Sequence, residues 1–173
     1  MVINLRRLVD DERLPRFEIC RRFVRFDTEH IQFEKSDDME FSGFMIHAYW
    51  NGICIGRANC VLFDRRLQLG ELKVYEYCQP RWPAALHRLL TAIGIWPRKL
   101  KCRHKGIGTL LLRRVISEAE ASNIEYIYGS IVQRDLDRSP FLIDWYKKHG
   151  FVISEPDEEC ISGAVKKITL KVA

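Results

Sequence analysis

The dipeptide Asn51-Gly52, placed between two apolar runs, is the feature that most restricts the fold. The runs are Phe44–Trp50 before it and Ile53–Phe63 after it. Asn-Gly suits the two positive-φ positions of a tight hairpin turn, so the pattern predicts a β-hairpin. A second turn at 64–66 leads into Leu67–Cys78, which predicts a third antiparallel strand.

A basic, glycine-containing turn at 103–108 leads into a helix. Apolar residues recur at helical spacing from Ile107 to Ala119, with charged residues between them. The first turn of a helix has N–H groups without intrahelical partners and carries partial positive charge. Gly106 and Gly108 remove the Cβ atoms that would keep a ligand's oxygens away. The turn therefore predicts an anion site, and a plain glycine loop is the alternative. Positive potential is added by Arg103, His104 and Lys105.

The spacing of this turn differs from that of the better-known phosphate loops. A Walker loop needs Gly-x-x-x-x-Gly-Lys-Ser/Thr, and a dinucleotide fingerprint needs a third glycine and a later acidic residue. Arg-x-x-Gly-x-Gly between an antiparallel meander and a long helix resembles instead the acyl-CoA-binding loop of the GNAT acyltransferase superfamily. Tyr146–Phe151 is similar to the family's Tyr-x-x-x-Gly-Phe segment and follows about forty residues later. Either motif alone is weak, and together they favour that family.

The rest of the pattern completes the order strand, helix, three strands, helix, strand, helix, two strands. A first strand is predicted over 2–9, with a helix beyond it, whereas 27–40 is ambiguous. After the central helix, a buried strand is predicted over 124–133 and a short helix, capped by Ser139-Pro140, over 141–149. Phe151 and Val165–Val172 mark the last two strands. The resemblance implies an α+β, three-layer GNAT-like fold with a mixed, mostly antiparallel sheet of about six or seven strands, splayed at the cofactor site.

Length and composition predict one domain over 1–173. A chain of 173 residues with 47% hydrophobic content is enough for one core and short for two. The segment 79–102 departs from the family pattern as an insertion, in which Trp82-Pro83 and Trp96-Pro97 flank a predicted helix over 84–93. The insertion either caps the acceptor pocket or only packs against the core or a partner chain.

Charge and cysteine content restrict the partners and the compartment. The net charge of +5 suits an anionic ligand and is too small to require nucleic acid. None of the six cysteines forms a Cys-x-x-Cys pair, so no metal is predicted. Several lie in apolar runs, where a thiol packs as a small hydrophobe. With no pattern of a signal peptide or a membrane span, we predict a reduced, soluble, cytoplasmic protein.

The resemblance implies direct transfer of an acyl group from acyl-CoA, usually acetyl-CoA, to an amine in a ternary complex. The backbone of 104–109 would hold the pyrophosphate. The strand that carries Glu71 and the strand after the central helix would separate, so that exposed backbone pairs with the pantetheine arm. A homodimer is left open. The expected cofactor-binding residues are Leu72, Val74, Arg103, His104, Lys105, Gly106, Ile107, Gly108, Thr109 and Ser139, the last of which replaces an asparagine common in the family.

Three chemical tasks need residues in such an enzyme. The amine must lose a proton, the oxyanion needs a donor, and the departing sulfur leaves more easily when protonated. Tyr146 is the expected acid, because an unperturbed phenol pKa near 10 is close to that of a thiolate. Glu71, then Glu76, is the expected base, although the two lie on opposite faces of a regular strand unless a bulge intervenes. A backbone N–H near Val74 would bind the oxyanion, and a covalent role for Cys102 receives little weight.

Two rival functions remain open at this stage. One is a non-catalytic module that binds CoA, phosphate or RNA through the basic segment 98–105, with Trp82 and Trp96 available for stacking. The other is an interaction subunit that buries the insertion against a partner. The acceptor is not readable from the sequence. Acidic residues that either attract a cationic acceptor or are simply solvated are Asp37, Asp38 and Glu40.

Overall fold

A mixed sheet of seven strands is the centre of the fold. The computed structural model describes residues 28–38, 42–78 and 100–172. Its strands are β1 (Ile31–Asp38), β2 (Gly43–Trp50), β3 (Ile53–Phe63), β4 (Arg66–Val74), β5 (Tyr77–Cys78), β6 (Leu100–Lys101), β7 (Tyr126–Val132), β8 (Val152–Ser154) and β9 (Ala164–Lys171). Its helices are a 3-10 turn at Thr28–His30, α1 (Ile107–Ala121), α2 (Gln133–Arg138) and α3 (Leu142–Lys148).

The order of strands in the large sheet is β1-β2-β3-β4-β7-β9-β8, and β5 pairs with β6 in a separate two-stranded sheet. Within the large sheet β4 and β7 are parallel, whereas every other pair is antiparallel. This arrangement confirms the predicted α+β class and the mixed, mostly antiparallel sheet. The strand and helix predicted within 1–27 and the helix predicted over 84–93 lie outside the described residues.

The hairpin predicted at Asn51-Gly52 is present. Trp50 pairs with Ile53, and the two turn residues have φ values of 48° and 71°. The next turn is one residue shorter than predicted, because Phe63 already pairs with Arg66. Within the ambiguous segment 27–40, Ile31–Asp38 forms β1, a fourth antiparallel strand. Ile31 and Phe33 of β1 pack against the core while the residues between them are polar, so its apolar alternation is too short to stand out in the sequence.

A β-bulge at Gly70 changes which residues of β4 face the core. Asn59 pairs with Glu71 and Cys60 with Leu69, so Gly70 is the extra residue. Leu69 before the bulge and Leu72 after it therefore lie on one face, and Glu71 lies on the other. The strand also ends at Val74, earlier than predicted. The next two residues turn the chain away, and Tyr77–Cys78 becomes β5.

The long helix α1 covers the face of the sheet to which the bulge directs Leu72. Its apolar stripe is fully buried and packs across β2, β3 and β4. Burial of each large apolar side chain stabilises the fold by about 1.5–3 kcal/mol, so this contact fixes the position of the helix N-terminus relative to β4. The buried residues of the stripe are Ile107, Leu111, Leu112, Val115 and Ala119.

The C-terminal half contains a helix that the sequence did not predict. The strand predicted over 124–133 ends at Val132, and Gln133–Arg138 forms α2. That segment has no buried residue and no apolar stripe, so helical periodicity could not reveal it. Ser139 was predicted to cap α3, but Phe141 occupies the N-cap and no side chain caps that helix. Among the described residues, no helix is long and apolar enough to cross a membrane.

Candidate active site

Strands β4 and β7 are paired at one end and diverge at the other. The pairing covers Arg66–Leu69 against Tyr126–Gly129 and goes no further. Beyond it, the edge of β4 over 70–74 and the edge of β7 over 130–132 face each other without ladder bonds between them. The divergence begins where the Gly70 bulge kinks β4. Unpaired N–H and C=O groups on two facing edges can bind an extended polar ligand.

The N-terminus of α1 opens beside this cleft. His104 and Gly106 have φ values of 62° and 77°, and the helix begins at Ile107. No side chain caps the helix and its first turn contains no acidic residue. The first N–H groups and the positive end of the helix dipole are therefore left without competition from a local anion. An added Cβ at Gly106 would meet no protein atom within 4 Å, so within the protein this glycine is required for its positive φ.

Gly108 is the glycine that leaves space. A Cβ built there would lie 3.7 Å from Val74, 3.8 Å from Leu72 and 3.8 Å from Trp145. These neighbours belong to β4 and to α3, so the missing side chain would occupy the groove between them. The distances are ordinary van der Waals contacts, so an alanine fits the protein itself. What it would fill is part of the open space between α1, β4 and α3.

Trp145 connects α3 to the first turn of α1. Its Nε1 donates a hydrogen bond to Thr109 Oγ1 at 3.2 Å, and its ring lies 4.8 Å from that of His149. His149 Nδ1 lies 2.7 Å from the Trp145 carbonyl oxygen, which accepts a hydrogen bond from it in the corresponding tautomer. Trp145 is not among the functional residues predicted from the sequence. Only its position next to Tyr146 pointed to it, because helical spacing cannot show a contact across 36 residues.

The Tyr146 side chain is buried against Trp145 and Phe151, with ring centroids 4.8 Å and 5.3 Å away. Its exposed fraction is 8%, and no hydrogen-bond partner for its hydroxyl lies within the described residues. Burial raises the pKa of this phenol above its ordinary value of 10, and the Asp135 carboxylate raises it further. The match to a thiolate pKa expected from the sequence therefore does not hold. Tyr146 keeps its proton and offers a buried donor to whatever acceptor approaches it.

Arg103 and Ser139 lie across the open end of the cleft from each other. Arg103 Nη2 donates to Ser139 Oγ at 3.5 Å, a long contact between the glycine loop and the segment that follows α2. His104 and Lys105 are exposed in the same loop. The glycine loop and the α2–α3 connection thus place the Arg103 and Ser139 side chains around one opening. The basic side chains of His104 and Lys105 lie in the same loop.

The two glutamates proposed as bases have different surroundings. The Glu71 carboxylate accepts hydrogen bonds from Arg57 at 2.8 Å and 3.1 Å, on the face of the sheet opposite α1. Lys73 Nζ lies 3.9 Å from it. Glu76 is exposed in the bend after β4, where its main-chain carbonyl accepts a hydrogen bond from the Cys102 N–H at 2.9 Å. Within the described residues, no group of three or more His, Cys, Asp or Glu side chains could hold a metal ion.

The model of the acetyltransferase (GNAT) family matches residues 5–151. The chain belongs to the GNAT acetyltransferase family. The motifs at 103–108 and 146–151 are therefore correctly interpreted as a family resemblance, and acetyl-CoA-dependent acyl transfer is the general activity of this family. No curated protein matches the chain by sequence.

Solved structures share the fold at low identity. A GNAT acetyltransferase from Staphylococcus aureus Mu50 is 16% identical, with a TM-score of 0.52 over 79% of this chain and 72% of that one. A putative GNAT acetyltransferase from Desulfovibrio desulfuricans is 12% identical, with a TM-score of 0.54 over 83% and 99%. The PaiA N-acetyltransferase of Thermoplasma acidophilum, solved with coenzyme A, is 16% identical with a TM-score of 0.48. This chain aligns over 73% of its own length and 59% of that protein.

Proposed function

We propose that this chain is a single-domain N-acetyltransferase that binds acetyl-CoA between β4 and β7 and transfers the acetyl group directly to an amine. Acetyl-CoA supplies the acyl carbon and a thiolate leaving group. The proposal is carried by two observations together: the strand edges of β4 and β7 that stay unpaired beyond Leu69 and Gly129, and the buried Tyr146 hydroxyl, which has no acceptor in the described part of the chain.

The cofactor's pyrophosphate fits the N-terminus of α1. The left-handed conformation of His104 and Gly106 leads into the backbone N–H groups of 104–109, and the first turn of α1 contains no acidic side chain that would oppose an anion. Arg103 and Lys105 would add charge attraction, with Ile107 buried below to hold the turn in place. The proposed contacts are therefore main-chain hydrogen bonds first and side-chain charge second.

The pantetheine arm fits the divergent edges. An extended amide-containing chain can pair with the free backbone of β4 near Leu72 and Val74, as a strand would. Gly108 leaves room for it between β4 and Trp145. Ser139 Oγ, now held by Arg103 at the long distance of 3.5 Å, is available at the same opening.

Tyr146 would assist the departing sulfur as a hydrogen-bond donor. Because burial holds its pKa above 10, the phenol remains protonated at any working pH. A donor fixed in an apolar site stabilises developing negative charge without reorganising, and one such donor is worth about 10²–10³ in rate. A backbone N–H near Val74 would serve the carbonyl oxygen in the same way.

Glu71 is the first candidate for the base that accepts the amine's proton, directly or through a water molecule, and Glu76 is the second. Arg57 holds the Glu71 carboxylate in one orientation. The same ion pair occupies the Glu71 carboxylate, so a proton acceptor there would have to act alongside Arg57. The geometry suits a relay through water more than direct contact, because Glu71 lies on the sheet face away from α1.

Isothermal titration with acetyl-CoA and CoA tests the binding step, and a thiol-release assay against a panel of amines tests transfer. Lys105→Ala should weaken CoA binding several-fold at low salt and less at high salt. Arg113→Ala, which removes the same charge from an exposed position on α1, is the matched control and should bind as the parent does. Tight binding with no release on any amine would support the rival non-catalytic CoA module. RNA binding through 98–105 without CoA binding would overturn both.

A further inference from the structure

Two buried cysteines, Cys78 and Cys102, contact each other on either side of the segment 79–101. Cys78 ends β5, and Cys102 directly follows β6. The two strands pair at Tyr77 with Lys101 and at Cys78 with Leu100. The hydrogen bond from the Cys102 N–H to the Glu76 carbonyl extends this short ladder. Cys78 and Cys102 therefore lie on adjacent strands, diagonally across one face.

The sulfur atoms are closer than an ordinary nonbonded contact allows. Cys78 Sγ and Cys102 Sγ are 2.6 Å apart. Nonbonded heavy atoms pack at roughly 3.5–4.0 Å, whereas a disulfide has an S–S bond of about 2.05 Å. A shift of about half an ångström in side-chain position would bring the two sulfur atoms to bonding distance. The two exposed fractions are 4% and 0%, so both side chains are buried.

We propose that Cys78 and Cys102 form a reversible disulfide that closes residues 79–101 into a covalent loop. The bond would also tie the residue before Arg103, at the start of the glycine loop, to the chain just after β4. The site lies outside the cofactor cleft and goes beyond the acetyltransferase function, since it requires no CoA.

The oxidant is a peroxide. Cys78, the more exposed of the two thiols, attacks one peroxide oxygen and becomes a sulfenic acid, releasing one water molecule from hydrogen peroxide. Cys102 then attacks the Cys78 sulfur and releases the second water molecule. The two thiols together lose two protons and two electrons, and one S–S bond forms. Burial raises the pKa of the Cys78 thiol to about 12, so its thiolate is scarce and oxidation near neutral pH is slow.

The test is oxidation of the purified full chain with hydrogen peroxide, followed by alkylation in denaturant and peptide mass spectrometry. The expected product is a peptide pair linked through Cys78 and Cys102, with the remaining cysteines alkylated. The bond closes a loop of 25 residues, counting both cysteines. The melting temperature of the oxidised parent should therefore rise by roughly 5–10 °C, and dithiothreitol should reverse the rise.

Variants separate this pair from other thiols. Cys102→Ser should lose both the linked peptide and the thermal shift. Cys54→Ser should keep both the linked peptide and the thermal shift, although Cys54 lies close enough to Cys78 for an electrostatic interaction between the two thiols. If Cys102→Ser does not fold, the linked peptide and the melting temperature of the oxidised and reduced parent protein still show whether the disulfide forms. Alkylation of every cysteine after oxidation, or a Cys54–Cys78 link in its place, would overturn the proposal. Neither outcome depends on CoA binding, so it would leave the proposed function untouched.

Discussion

Replacing Tyr146 by phenylalanine separates catalytic from structural roles of one hydroxyl. Most buried tyrosine hydroxyls have a partner, and removing one then destabilises the fold by about 1 kcal/mol. Within the described residues the Tyr146 hydroxyl has no partner, while its ring packs on Trp145 and Phe151. Tyr146→Phe keeps that packing and removes an unsatisfied donor, whose burial costs about 1–3 kcal/mol.

We therefore expect Tyr146→Phe to leave the free energy of unfolding unchanged or to raise it by about 1 kcal/mol, which is about 2–4 °C in melting temperature for a chain of this size. The acetyl-transfer rate should fall by about 10²-fold, with the Kd for CoA within about twofold of the parent value. Chemical denaturation, thiol release and titration calorimetry measure the three quantities on the same preparation.

Tyr128→Phe is the matched control, because Tyr128 is as deeply buried but contacts Lys167 rather than the cleft. It should turn over within twofold of the parent. An unchanged rate in Tyr146→Phe would remove that hydroxyl from the chemistry. A loss of 1 kcal/mol or more in stability would show that the hydroxyl has a partner in the folded protein. The proposal that Tyr146 is an unsatisfied donor would then be refuted.

Three further perturbations follow from the same geometry. Gly108→Val should reduce the affinity for CoA at least tenfold, because the added side chain fills the groove beside Val74. Ser117→Ala, on the same helix, should leave the affinity for CoA unchanged. Equal affinities of the two variants by calorimetry would refute the groove as the binding site. If Glu71 is the base, Glu71→Gln should lower kcat and steepen the pH dependence of the rate, with little effect on the Kd for CoA. A pH profile like that of the parent would exclude Glu71 as the base. Burial raises the pKa of Cys60 from 9.0 to about 12, so the folded state holds a proton that the unfolded state releases. The contribution of Cys60 to the free energy of unfolding is complete below pH 9 and falls by about 1.4 kcal/mol per pH unit as the pH rises towards 12. Cys60→Ala should remove this contribution from the pH slope in urea denaturation between pH 9 and 10.5 and leave that of Cys78, whose pKa is also raised to about 12. An unchanged slope would contradict the pKa assignment.

Local patterns predicted the parts of the fold that depend on local physics. Asn51-Gly52 gave a hairpin because the two residues tolerate positive φ, and the stripe from Ile107 to Ala119 gave α1 because one face of a helix must be buried. The family was visible for the same reason, since both of its motifs are short and contiguous. Segments whose structure depends on neighbours were missed or misplaced, as with β1 and α2, neither of which carries a strong apolar period.

The amino-acid sequence by itself determined the meander, the central helix, the glycine loop and the family. Tertiary structure alone decided the rest. Only pairing between strands could place the Gly70 bulge, and only the end of the β4–β7 ladder at Leu69 and Gly129 could show where a cleft opens. The Tyr146 hydroxyl without an acceptor among the described residues, the hydrogen bond from Trp145 to Thr109 and the two sulfurs 2.6 Å apart all depend on residues distant in the chain. Side-chain spacing along one element does not encode them, because they arise when separate elements pack.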